Sequence, residues 1–245
     1  MKKVLIVGAT STIAGAVCRI FAERGDALML VGRRADVLDA TASDLRVRGA
    51  RAVHVHTMDA GDLPSHETML TRTGELLGGI DSVLIAYGTL SDQTACEQSG
   101  ELTAAELHNN AVSVAALLTR IGALLSQRRA GTIAVISSVA GDRGRASNYV
   151  YGSGKALVTV FASGLRQRLY KSGVSVITIK PGFVDTPMTA TFRKGMMWTT
   201  PQRIARGIVR AMDRSTPAVY LPRFWCPIML AIKMIPENLF RRLRL

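Results

Sequence analysis

Short apolar runs alternate with amphipathic stretches along most of the chain. Lys3–Val7, Ala27–Val31, Ala52–Thr57, Asp81–Ala86, Thr132–Ile136, Val174–Lys180 and Val219–Leu221 are rich in Val, Ile and Leu and read as strands. Between them apolar positions recur three and four residues apart. The stretch after Gly8 runs amphipathically to Arg24 and stops at Gly25, and Thr200-Pro201 opens a helix that reaches Asp213. Glu101–Arg129 reads as a long helical region interrupted by His108-Asn109-Asn110, and Val150–Lys171 as one continuous helix. This order predicts an α/β fold with one doubly wound, seven-stranded parallel sheet of Rossmann type, flanked by helices.

With 245 residues, 48% of them hydrophobic and 20% charged, the chain suits a single domain with a large core. The expected division is residues 1–223 as that domain and 224–245 as an apolar and basic extension. Cys18, Cys96 and Cys226 are odd in number and lack metal or redox spacing, so they read as packing residues of a reducing compartment. The apolar run after Met1-Lys2-Lys3 ends at Gly8, too short for a signal peptide, and a cytoplasmic protein is expected. His54, His56, His66 and His108 have no metal-ligand spacing.

The net charge of +13 is unevenly placed. Residues 1–160 hold 16 Lys and Arg against 15 Asp and Glu, whereas residues 161–245 hold 15 against 3, a net +12. Such a half faces something anionic, either a phosphate-bearing substrate or a membrane surface. Nucleic acid is not expected, because neither a recognition motif nor an aromatic stacking platform accompanies the charge.

Two stretches carry candidate chemistry. Gly8-Ala9-Thr10-Ser11-Thr12-Ile13 joins the first strand to the first helix, where backbone amides and the helix dipole suit a pyrophosphate. Ser138 ends the fifth apolar run, thirteen residues before Tyr151, and Lys155 follows Tyr151 by four, on the same helical face. A neighbouring cation favours the phenolate, so Tyr151 is expected to have a lowered pKa and to act as acid or base.

These residues resemble the short-chain dehydrogenase/reductase family: the serine, Tyr-x-x-x-Lys, the glycine loop, and Pro181-Gly182-Phe183-Val184-Asp185-Thr186. The resemblance implies sheet order 3-2-1-4-5-6-7 and hydride transfer between a nicotinamide and a carbonyl. In it Tyr151 donates the proton, Ser138 polarises the oxygen, Lys155 tunes the tyrosine and binds the ribose, and Asn110 supports a proton relay. It also implies that Gly8, Thr10, Ser11, Thr12, Ile13, Asp59, Ala60, Ala86, Tyr87, Gly88, Pro181, Gly182, Val184 and Thr186 line the cofactor. The second strand ends in Gly32-Arg33-Arg34 with no acidic residue, so Arg33 is expected on a 2′-phosphate and the cofactor is NADP(H). The chain departs from the family with Thr12 at a glycine position and Ile85-Ala86-Tyr87-Gly88 where Asn-Asn-Ala-Gly is usual. The family's helical seam implies a homo-dimer or homo-tetramer.

After Thr186 come Met188, Phe192, Met196, Met197 and Trp198 beside Arg193 and Lys194, a set suited to a long, apolar, phosphate-bearing substrate. The run from Phe224 to Ile235 is too short to span a bilayer. It either lies at an anionic membrane surface, with Phe224 and Trp225 at headgroup depth and Arg241, Arg242 and Arg244 on the lipids, or packs as a buried tail across an oligomer interface. This ending resembles the branch of the family that reduces a keto-sugar carried on a polyprenyl phosphate, the decaprenylphosphoryl-2-keto-ribose reductases. A soluble reductase of small ketones and a non-catalytic NADP sensor are the alternatives.

Overall fold

The apolar runs become seven strands: β1 (Lys3–Val7), β2 (Ala27–Gly32), β3 (Ala52–Thr57), β4 (Ser82–Ile85), β5 (Gly131–Ile136), β6 (Val174–Pro181) and β7 (Ala218–Leu221). In the computed structural model, which describes residues 1–243, they lie parallel in one sheet of order β3-β2-β1-β4-β5-β6-β7. The helices are α1 (Thr12–Glu23), α2 (Ala35–Val47), α3 (Ser65–Leu77), α4 (Gln93–Gln98), α5 (Gly100–Leu107), α6 (Ser113–Arg128), α7 (Tyr149–Leu169), α8 (Pro201–Asp213), α9 (Trp225–Met234) and α10 (Glu237–Phe240). Strand boundaries fall within one residue of the periodicity at almost every end.

Alternate residues of each strand serve opposite layers, as the two-residue period of a pleated strand requires. Val4, Ile6, Leu28 and Leu30 pack with Phe21, Leu38, Ile204 and Ile208 of α1, α2 and α8. Leu5, Met29, Val83 and Ile133 pack with Met69, Leu117, Val158 and Leu165 of α3, α6 and α7. Covered on both faces, β2 and β4 are buried at every position, which is why they read as unbroken apolar runs. β1 pairs with β2 on one side and β4 on the other, so the connections diverge there and leave a crevice at the strands' carboxyl ends.

The interruption expected at His108-Asn109-Asn110 is a π-helical turn, His108–Val112, between α5 and α6. The carboxyl-terminal run folds back as α9. Its Trp225 and Met229 are buried with Val139, beside Phe183, Tyr220, Ile228 and Ile232. Trp225 is therefore an internal packing residue, not a headgroup anchor, while Phe224 stays exposed. Arg143 fastens this tail: its guanidinium donates to the carbonyls of Lys233 (3.1 Å) and Ile235 (3.0 Å), pairs with Glu237 (2.6 Å) and lies 4.1 Å over the Phe240 ring. All three cysteines are free. Cys18 and Cys96 are buried, but Cys226 is exposed and does not pack as expected. No described helix is long and apolar enough to cross a membrane, and Arg244, expected on lipid, lies outside the described residues.

Candidate active site

A cavity of ≈ 370 Å³ opens at the carboxyl ends of β1, β2, β4, β5 and β6. Ser138 leaves β5 in extended conformation, and its Oγ accepts from the Ala140 amide at 3.1 Å. α7 packs against this turn and presents Tyr151 to the same cavity, beside Ser138. Lys155, one turn on, donates to the Ile136 carbonyl (3.3 Å), its ammonium 5.6 Å from the Tyr151 ring centroid. The neighbouring Ser137 borders the cavity but turns its hydroxyl the other way, onto the Lys155 carbonyl and Thr159, both at 2.8 Å.

The electrostatics differ from the sequence expectation. Burial raises the pKa of Tyr151, and Ser138 only partly offsets it. Burial also brings the Lys155 ammonium down to about 8. Desolvation disfavours both charged forms, so the tyrosine is raised where a lowering was expected. Tyr151 is held as a neutral phenol, the form that donates a proton.

Asn110 sits behind this pair, 1% exposed, and does not itself line the cavity. Its Oδ1 accepts from the Thr89 amide (3.0 Å), and its Nδ2 donates to Thr89 Oγ1 (2.9 Å) and to the carbonyl and carboxylate of Glu106 (both 3.2 Å). Glu106 also accepts from Thr89 (2.7 Å) and Ser91 (2.8 Å). The π turn gives Asn110 this inward position. Gly88 lies between: with φ +150, a Cβ there would stand 2.7 Å from Asn110 Oδ1 and 3.2 Å from Lys155 Nζ.

The other half of the cavity has the shape of a dinucleotide cradle. Gly8, with φ +86, brings the first turn so close to Tyr87 that a Cβ would stand 2.6 Å from its amide. The first bond of α1 runs from Gly15 N–H to the Ser11 carbonyl, so the Thr12 and Ile13 amides have no acceptor within the helix. The first turn of α1 has no acid, leaving its positive end to an anion. Thr10, Ser11, Thr12 and Ile13 line the cavity, and Arg33 and Arg34 stand exposed at the end of β2; neither arginine joins an ion pair among the described residues. Asp59 turns onto its own loop, accepting from the Gly61 amide at 2.9 Å. Ala60, Ala86, Pro181, Gly182, Val184 and Thr186 complete the lining. Tyr87 lines it too, but its hydroxyl points away, 3.1 Å from Ser113 Oγ. The tight glycine turns, the open amides and the arginines beyond β2 fit a nucleotide with an extra phosphate.

Several residues without a local sequence signal for a cofactor role also belong to the site. Arg34, Met58, Thr89, Asn109 and Thr189 also line the cavity. His66 and His108 hold the rim through Nε2, on the carbonyls of Ala60 (2.8 Å) and Gly61 (2.9 Å). Next to Gly182 in the chain, Phe183 stacks on Trp198 and stands edge-on to Trp225, both at 5.4 Å between centroids. The Trp225 indole fills the space a Cβ on Gly182 would need. Beneath the Ser138 turn, Lys180 and Asp142 pair at 2.5 Å and Tyr220 donates to Asp142 at 2.6 Å. Met188 lines the cavity, and Met188, Phe192, Met196 and Met197 are all exposed.

Residues 2–197 match the family described as short chain dehydrogenase. The chain is 36% identical over 240 residues to an uncharacterized oxidoreductase of Mycobacterium tuberculosis, covering 98% of this chain and 96% of that one. It is 34% identical over 247 residues to an uncharacterized oxidoreductase of Streptomyces coelicolor, covering 99% and 96%. Among solved structures, a short-chain dehydrogenase from Sphingobium yanoikuyae in complex with NADPH superposes with a TM-score of 0.84 at 24% identity, covering 100% of this chain and 97% of that one. A variant actinorhodin polyketide ketoreductase with NADPH gives 0.80 at 21% identity, covering 90% and 95%.

Proposed function

The chain belongs to the short-chain dehydrogenase family, and from that premise we propose that it is an NADPH-dependent reductase of ketones. The observation that carries this reading is the meeting of Ser138, Tyr151 and Lys155 in one cavity with a dinucleotide cradle. The NADPH complexes of the two structural neighbours and the position of Arg33 beside Arg34 support the phosphorylated cofactor.

Bound NADPH supplies a hydride to the carbonyl carbon. The protein's residues serve the oxygen. Ser138 Oγ donates a hydrogen bond to it, and Tyr151 transfers its phenolic proton as negative charge develops there. Lys155 in its ammonium form stabilises the phenolate left behind, and the Asn110, Thr89 and Glu106 network holds the segment through which a proton returns.

The substrate is an apolar-tailed ketone bearing a phosphate, such as a polyprenyl-phosphate-linked keto-sugar. Exposed Met188, Phe192, Met196 and Met197 beside Arg193 support this. The enzyme works in the cytoplasm as a homo-dimer or homo-tetramer, a reading supported by exposed Leu157 and Val160 on α7. It touches anionic membrane peripherally, supported by exposed Leu230, Met234 and Leu239 near Arg241 and Arg242. Spectrophotometric NADPH consumption with prenyl-phosphate keto-sugars and with simple ketones tests the reading. Turnover only of the former is expected; turnover of simple ketones alone would overturn the substrate, and of neither the function.

A further inference from the structure

Five of the fifteen basic residues of the carboxyl-terminal part, 161–245, line a second cavity that shares no residue with the cofactor cleft. Arg203, Arg206 and Arg210 of α8 and Arg214, which caps its carboxyl end, form one stripe at spacings of three, four and four residues. With Arg223, just beyond β7, they line a cavity of ≈ 440 Å³ whose other walls include Ile204, Leu221 and Pro222. No carboxylate lines it. The three acids of residues 161–245 are committed elsewhere: Asp185 to Lys194 (2.7 Å), Asp213 to Lys2 (3.1 Å) and Arg24 (3.0 Å), Glu237 to Arg143 (2.6 Å). Among the described residues none of the five arginines joins an ion pair.

Folding gains little from this arrangement. Like charges one turn apart destabilise a helix, and the dipole rewards only the cations at its carboxyl end, Arg210 and Arg214. An ordinary solvated stripe lies on a convex face, whereas here five guanidinium groups share a concavity with low-dielectric walls, which focuses positive potential. Planar guanidinium forks match phosphate oxygens in bidentate fashion. We propose that this basin is a second anion site that binds a multiply charged phosphoester group, a phosphomonoester or a diphosphate, independently of the cofactor cleft. The group is carried either by a soluble metabolite or by a lipid. Arg223 directly precedes Phe224, the start of the exposed apolar surface of Phe224, Leu230 and Met234, so a lipid-borne phosphate would have a place for its tail. The proposal does not rest on the reductase reading and would hold in a protein that reduced nothing.

The test is calorimetric titration of pyrophosphate into the full-length protein, without NADPH and with NADPH saturating, so that the cofactor's own pyrophosphate cradle is distinguished. Vesicles of neutral lipid, with and without phosphatidic acid, are assayed in parallel. Binding is expected to persist with NADPH present and to weaken by about tenfold or more in Arg206→Gln/Arg210→Gln, which loses two charged donors. It should be unchanged in the charge-matched control Arg72→Gln/Lys171→Gln. All substituted residues are exposed, so folding is not at risk. Pyrophosphate binding lost only in the basin variant supports the site with a soluble source; phosphatidic-acid binding lost only there supports it with a lipid source. Equal loss in the control, or no binding of either anion once NADPH is present, overturns it.

Discussion

Lys180 and Asp142 meet at 2.5 Å beneath the Ser138 turn, with side chains only 10% and 2% exposed, and Tyr220 closes the group from β7. The pair ties the segment after Ser138 to the end of β6, where Pro181 and Gly182 line the cavity. Removing one member of a buried pair leaves the other charged and uncompensated, at a cost of about 3–5 kcal/mol. Asp142→Leu is therefore expected to destabilise the protein by about that amount in denaturant titration. Asp142→Leu/Lys180→Met should recover part of it. A double variant no more stable than the single would contradict the pairing.

Lys155 supplies a prediction with a definite sign. Burial lowers its pKa from 10.5 to about 8, so between those values the unfolded chain binds more protons than the folded one. This group's contribution therefore makes stability rise with pH across that window, and below about pH 8 the buried charge is a full cost. Lys155→Met is expected to abolish turnover while leaving the thermal midpoint at pH 7 unchanged or higher. A lower midpoint at pH 7 would contradict the desolvation reading.

Arg33 bears on the choice of cofactor. Arg33→Ala is expected to narrow the ratio of NADPH to NADH affinity by roughly tenfold, since one charge-assisted contact is lost while the adenine and pyrophosphate positions are kept. An unchanged ratio would assign the 2′-phosphate to Arg34 alone.

Much of this was legible in the sequence. Strand runs with amphipathic helices between them are a local pattern, and the spacing of Ser138, Tyr151 and Lys155 survives because β5 and α7 are regular on either side of one turn. What failed depends on contacts between distant segments. An apolar run such as Phe224–Ile235 reads alike whether it meets lipid or protein; only Val139, Phe183 and Arg143, far off in the chain, decide that Trp225 goes inside. Asp142, Lys180 and Tyr220 come from three elements and are unremarkable in each. The Tyr151 pKa followed burial, which spacing does not report.

The tail should depend on its clamp. Arg143→Ala removes two carbonyl contacts, the Glu237 pair and the Phe240 stacking together. Tryptic cleavage after Lys233 is expected to accelerate several-fold, and NADPH affinity to fall because Trp225 backs Gly182. Cleavage at the wild-type rate would mean that Trp225 and Met229 hold the tail unaided.

The most direct test of the account is steady-state NADPH consumption by Tyr151→Phe with a ketone that the wild type turns over, with NADPH affinity measured alongside by fluorescence titration. The ring, its packing and Lys155 remain while the proton donor is removed, so turnover is expected to fall by at least about a hundredfold with NADPH affinity nearly unchanged. Turnover within a few-fold of wild type would contradict proton donation by Tyr151.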